Sequence, residues 1–157
     1  MEWKNNMNIQ AIFQNYVFLS AIIAWSVAQL IKLPLDYLYS KRWNWALLIS
    51  MGGMPSSHSA LVTATATGVG LYAGFNSPVF ALAVALAMVV IYDATGIRRQ
   101  AGIHAQTINL LVEELLQGHM APEKQLREVL GHTPLEALGG VILGLIVPVL
   151  LWFVWGK

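Results

Sequence analysis

No cysteine occurs among the 157 residues, so disulfides, thiolate metal sites and a thiol nucleophile are excluded. Charge is almost as scarce. Asp, Glu, Lys and Arg make up 11% of the chain, where a soluble domain carries about 25%. Nine basic residues against eight acidic ones leave a formal charge of +1, which offers no basic surface for nucleic acid. Hydrophobic residues make up 57%. The length allows one domain over residues 1–157, and the composition is that of a small membrane protein.

The missing charges are grouped. None lies between Lys4 and Lys32, fifty uncharged residues separate Arg42 from Asp93, and twenty separate Glu136 from Lys157. A helix rises about 1.5 Å per residue, so a hydrocarbon core of about 30 Å needs about 20 residues. This predicts an all-α membrane bundle of about four transmembrane helices, at 15–35, 57–75, 77–94 and 134–155. The turn between the second and third falls at Gly74–Pro78, rich in Gly, Asn, Ser and Pro. Trp43 to Gly53 is too short to cross and reads as an interfacial or re-entrant segment, with Trp43 and Trp45 at headgroup level. The first apolar run is long and has no clear small-residue cleavage site, which fits a signal peptide poorly.

From Arg98 to Arg127 the pattern changes. Ile108, Leu111, Val112 and Leu115 recur at helical spacing, while Glu113, Glu114, Lys124 and Arg127 keep the segment partly wet. It reads as an amphipathic surface helix or an extension of the third span. Small residues four apart, such as Ala60 and Ala64 or Gly140 and Gly144, allow close helix packing in lipid.

Threading the spans alternately through a bilayer puts Lys32, His58, Asp93, Arg98, Arg99, His132 and Glu136 at one membrane face. Ionised residues in spans are expensive and by default suggest a site; this set suits an anion, and phosphate above all. Each member also has a plainer reading. Ser56 and Ser57 before an apolar run mark a helix start, whose N–H groups favour anions, and His58 follows on the first turn. His132 and Glu136, four apart, put a carboxylate within reach of an imidazole. Yet Thr133-Pro134-Leu135-Glu136 also matches a capping box, in which Glu136 only caps and His132 precedes the helix. Asp93 closes a long uncharged run and can pair with Arg98 or Arg99, which otherwise serve as headgroup anchors. Lys32 can simply snorkel.

The blocks Lys32-Leu33-Pro34, Gly53-Met54-Pro55-Ser56-Ser57-His58-Ser59, Tyr92-Asp93-Ala94-Thr95-Gly96-Ile97-Arg98-Arg99 and Leu130-Gly131-His132-Thr133-Pro134-Leu135-Glu136 span nearly the whole chain. Together they resemble the type 2 phosphatidic-acid phosphatase and vanadium haloperoxidase superfamily, in its small bacterial and plant divergent branch. The resemblance implies transfer through a phosphohistidine without metal or cofactor. His132 would be the nucleophile, Glu136 its orienting carboxylate and His58 the general acid. Lys32, with Ser56, Ser57 and Arg98 or Arg99, would hold the phosphate, and Asp93 would support the arginines. Three positions depart from the superfamily pattern: Tyr39 and Leu126 stand where it has arginine, and Ser57 where it has glycine. Larger relatives have six core helices, which a homo-oligomer would supply here.

The leading expectation is therefore an integral protein of the bacterial plasma membrane that hydrolyses a lipid phosphate or diphosphate. A non-catalytic protein binding anionic lipid or a membrane partner through the same pocket is the alternative. Metal-dependent hydrolysis through His58, His132, Glu136 and Asp93 is a third reading, without a tight ligand motif. The positive-inside count puts the site in the cytoplasm, although a phosphate site is basic for its own reasons. Phosphatidate, phosphatidylglycerol phosphate and polyprenyl diphosphate all fit.

Overall fold

A computed structural model describes residues 9–48, 52–115, 126 and 131–155. Every regular element among them is helical, and the helix starts are locally encoded. Helix α1 (Tyr16–Ser40) opens on Asn15, whose side chain accepts from the Phe18 N–H at 3.1 Å. Helix α2 (Ser57–Ala73) opens on Ser56, which accepts from Ser59 N–H at 3.3 Å. Helix α3 (Pro78–Thr95) opens on Ser77 with Pro78 in its first turn. Helix α4 (Ile97–Leu115) follows Gly96, and α5 (Pro134–Trp155) follows Thr133, whose hydroxyl accepts from Glu136 N–H at 3.3 Å. The capping side chains satisfy N–H groups that the helices themselves leave unpaired.

Three stretches are long and apolar enough to cross a bilayer: α1, the Pro78–Val112 run that contains α3, and α5. The expected second span is α2, whose 17 residues reach about 26 Å at 1.5 Å per residue. It is the middle of the bundle, packed against α1, α3 and α5. The chain is thus an all-α membrane helical bundle. Helix α1 runs past the expected end at residue 35 to Ser40, where Lys41 turns left-handed (φ 55°) and its N–H closes on Tyr37 O at 3.0 Å.

The core is made of small side chains. Ala24, Ala28, Ala60 and Ala64 are fully buried. A Cβ on Gly144 of α5 would lie 2.6 Å from Thr63 Cβ, and one on Gly140 would overlap the Ser56 carbonyl. Such close approach maximises dispersion contact where lipid supplies no hydrophobic drive between helices. Helix α3 is different, with Ala87 and Ala94 its buried residues and a broad apolar face exposed.

The segment after α1 folds back against that helix. It forms a short 3-10 turn, Trp45–Leu48, and the Leu48 carbonyl accepts from Gln29 Nε2 at 2.9 Å. Gln29 lies eleven residues before the end of α1, about 16 Å along its axis. Leu48 therefore lies back beside α1, and so does Gly53, whose Cβ position would be 3.8 Å from Lys32 Cδ. Non-helical backbone at membrane depth needs an internal partner, and Gln29 is that partner.

Helix α4 is amphipathic, but the stripe it buries is Gly102, Ala105 and Asn109, while Ile108, Leu111 and Leu115 of the expected apolar stripe are exposed. Asn109 binds the backbone of Leu126 on both sides, donating to its carbonyl at 2.8 Å and accepting from its N–H at 2.9 Å. Lys124 and Arg127, and the side chains of Glu113 and Glu114, lie outside what is described. Helices α2 and α3 meet in a tight turn where Gly74 has φ 94° and Ser77 N–H reaches Gly74 O at 3.1 Å.

Candidate active site

Two backbone hydrogen bonds gather the remaining loops. Ser56 N–H donates to the Glu136 carbonyl at 2.8 Å, and His132 N–H to the Ala94 carbonyl at 2.9 Å. The start of α2, the end of α3 and the start of α5 are thereby held at one end of the bundle. Gly131 makes the second bond geometrically accessible. Its φ is 85°, and a Cβ there would lie 2.8 Å from Ala94 O, so a side chain is excluded both by conformation and by space.

Within this cluster His132 is buried, at 5% exposure. Its Nδ1 lies 3.0 Å from Glu136 Oε2. An ionised carboxylate only accepts, so Nδ1 is the donor of this pair, and in the neutral imidazole Nε2 holds the lone pair. The same Oε2 accepts from Thr133 N–H at 3.1 Å. The capping box and the imidazole contact, read from sequence as alternatives, coexist on one oxygen. His132 does precede the helix, so the pair shares a cap and not a helix face.

His58 stands on the first turn of α2, exposed, with its ring centroid 6.4 Å from that of His132. Lys32, Arg98 and His132 are all near enough to act on its charge. Lys32 is 3% exposed, and Glu136 is near enough to act on it electrostatically. Among the described residues, however, it has no ion pair within 4.0 Å and no hydrogen bond. A buried cation without a partner is costly. The N–H groups of Ser57 and His58 also lack a partner among the described residues, as expected of a helix start that faces an anion.

Other residues from the sequence reading take different places. Ser56 is fully buried, and its hydroxyl oxygen accepts from Ser59 N–H at 3.3 Å and from Ser59 Oγ at 3.1 Å, so it caps α2 with its lone pairs. Ser57 is 4% exposed at the helix start. Asp93 pairs with Arg98, whose Nε donates to Oδ2 at 2.6 Å. The Arg99 backbone packs on Gly131, and its side chain is exposed. Tyr39 is 90% exposed. Among the described residues no three His, Asp or Glu side chains converge as metal ligands, which leaves the four-ligand reading without its geometry.

Sequence reasoning missed Gln29 and Asn109. The signal available for Gln29 was a lone amide in an apolar span; Asn109, off the Ile108–Leu111–Leu115 stripe, carried none.

A membrane bundle with a buried lysine beside a histidine–carboxylate pair defines the class. The chain belongs to the Divergent PAP2 family, whose model matches residues 13–147. It is 38% identical to the "Uncharacterized membrane protein YuiD" of Bacillus subtilis (strain 168), over a 151-residue alignment covering 89% of this chain and 96% of the relative. No solved structure matches the chain. Family, relative and apolar helices together support an integral membrane protein in bacteria.

Proposed function

We propose that the protein is a membrane phosphatase that hydrolyses a lipid phosphate or diphosphate through a phosphohistidine. The observation that carries this reading is Lys32, buried at 3% exposure and without an ion pair within 4.0 Å among the described residues, in the same cluster as a histidine whose Nδ1 meets Glu136 at 3.0 Å and leaves Nε2 to face phosphorus. Phosphate enters against Lys32 and the free N–H groups of α2. His132 Nε2 attacks phosphorus and forms a P–N bond as the P–O bond to the alcohol breaks. His58 gives its proton to the leaving oxygen. Water, deprotonated by His58, then cleaves the P–N bond, releasing inorganic phosphate and restoring His132. Lys32 and Arg98 offset charge that builds on the phosphoryl oxygens, and Glu136 keeps the His132 tautomer fixed.

The test is phosphate release by purified protein from phosphatidate, phosphatidylglycerol phosphate and polyprenyl diphosphate, with EDTA present. Release that disappears in His132→Ala, in protein that still folds, is the expected result; undiminished release overturns the mechanism. A second reading, a non-catalytic protein binding anionic lipid, draws on Arg98 being taken up by Asp93. Under it the phosphate analogue vanadate binds and no substrate turns over.

A further inference from the structure

Beside the histidine cluster, between α1 and the Gly53–Met54 loop, lies a cavity of about 260 Å³. Lys32, Leu35, Asp36 and Tyr39 line it from α1, at the i, i+3, i+4 and i+7 positions of one helix face. Leu47 of the segment after α1 and Met54 complete it. Lys32 is at its buried end and Tyr39, 90% exposed, at its open end. The lysine is therefore common to this cavity and to the histidine cluster, so a group esterified to a phosphate on Lys32 has the cavity as its neighbour.

Asp36 sets what that group is. It lies one turn beyond Lys32, about 6 Å along the axis, and the two make no ion pair within 4.0 Å. Its hydrogen bond in the structure comes from Ser40 Oγ at 3.2 Å. A carboxylate accepts from up to four directions, so capacity remains for a donor in the cavity. A second phosphate here would meet a like charge. A bare hydrocarbon would strip water from the carboxylate without replacing its hydrogen bonds. An ammonium would exchange its hydration for one carboxylate contact in a cavity otherwise lined largely by Leu35, Leu47 and Met54. A hydroxyl two or three carbons from the ester oxygen meets none of these penalties. The volume also lies below the roughly 300–1,000 Å³ of pockets for larger ligands, which suits a glycerol-sized group.

Resting on the phosphatase reading, we infer that this cavity is the subsite for the alcohol side of the substrate. Asp36 selects lipids whose phosphorylated alcohol carries a free hydroxyl. Polyprenyl diphosphate is thereby disfavoured, and a phosphorylated glycerol headgroup is favoured.

Phosphonates test this without turnover, because their C–P bond is not hydrolysed. Binding of 3,4-dihydroxybutylphosphonate and butylphosphonate to the full chain in detergent is compared by calorimetry. The diol is expected to bind about tenfold tighter, the scale of one hydrogen bond to a charged group. In Asp36→Ala the ratio falls to about one, and in Asp36→Asn, the variant closer in shape, to about three. Equal binding of the two by the wild type overturns the inference, as does a ratio that survives in both variants. Failure of either phosphonate to bind overturns it together with the phosphatase reading. A tenfold preference with no phosphate release from any lipid leaves the subsite standing and removes the phosphatase.

Discussion

Glu136 holds His132 with an oxygen that is already in use. Its Oε2 accepts from Nδ1 at 3.0 Å and from the Thr133 N–H at 3.1 Å. A capping carboxylate is fixed by the helix it caps, so the imidazole is oriented by the start of α5 itself and not by a mobile side chain. The arrangement ties the fold of one helix end to the chemistry proposed for His132.

Glu136→Gln separates the two roles. The amide keeps an oxygen for Thr133 N–H but loses the charge that stabilises a positively charged imidazole. Turnover should fall steeply, by up to about ten-thousand-fold, the loss seen when the carboxylate partner of a catalytic histidine becomes an amide. Unfolding should change little. Glu136→Ala loses the cap as well and should cost about 1 kcal/mol of stability. Phosphate release and thermal unfolding, measured on both variants, check the split.

His58→Ala should trap the intermediate. With p-nitrophenyl phosphate the leaving group needs little protonation, so attack by His132 proceeds without a general acid. The second step still needs a base for water. Phosphohistidine should accumulate in the variant and be absent from His58→Ala/His132→Ala. Mass spectrometry of acid-sensitive phosphorylation reads this directly, and a variant that shows none under turnover conditions argues against His58 as the base.

These two predictions concern residues that the sequence displayed. Pro, Ser and Thr at helix starts, and a carboxylate three residues after Thr133, are local signals, so α3 and α5 begin where their sequences predict. The gathering of Lys32, His58 and His132 followed from span counting alone. Gln29–Leu48 and Asn109–Leu126 were not legible, because each joins a side chain to backbone 19 or 17 residues away and leaves no periodic trace. Asp36 escaped notice for a related reason. Its meaning depends on a cavity wall formed by Leu47 and Met54, which only the folding back of the chain brings alongside.

Lys32→Met should stabilise the fold or leave it unchanged while abolishing phosphate binding. Lys32 is 3% exposed and has no ion pair within 4.0 Å among the described residues, and exchanging a poorly compensated buried charge for an apolar chain of similar length is often neutral or favourable. Vanadate affinity should drop at least a hundredfold. A large loss of thermal stability in this variant would show that Lys32 has a structural partner.

Gly144→Leu should loosen the α2–α5 contact. Even the first carbon of the new side chain would lie 2.6 Å from Thr63 Cβ and 2.8 Å from Ala60 O, and neither backbone nor a helix-borne Cβ yields cheaply. Overpacking of this kind costs about 1–3 kcal/mol. Resistance to thermal or denaturant unfolding in a defined detergent measures it.

Gln29→Leu tests whether the folded-back segment supports the site. The substitution leaves the half-buried Leu48 carbonyl without its 2.9 Å donor, at a cost of about 1 kcal/mol. The chain can lower that cost by withdrawing the segment toward water, which would move Leu47 away from the cavity beside Lys32. Stability loss should therefore be accompanied by weaker binding of 3,4-dihydroxybutylphosphonate, although Gln29 is not among the cavity's lining residues. Gln29→Glu provides the contrast: protonated, it can donate to the same carbonyl, so both effects should shrink as pH is lowered. If Gln29→Leu weakens the fold but leaves phosphonate binding intact, the segment is anchored there for stability alone, and Leu47 is held in place by other contacts.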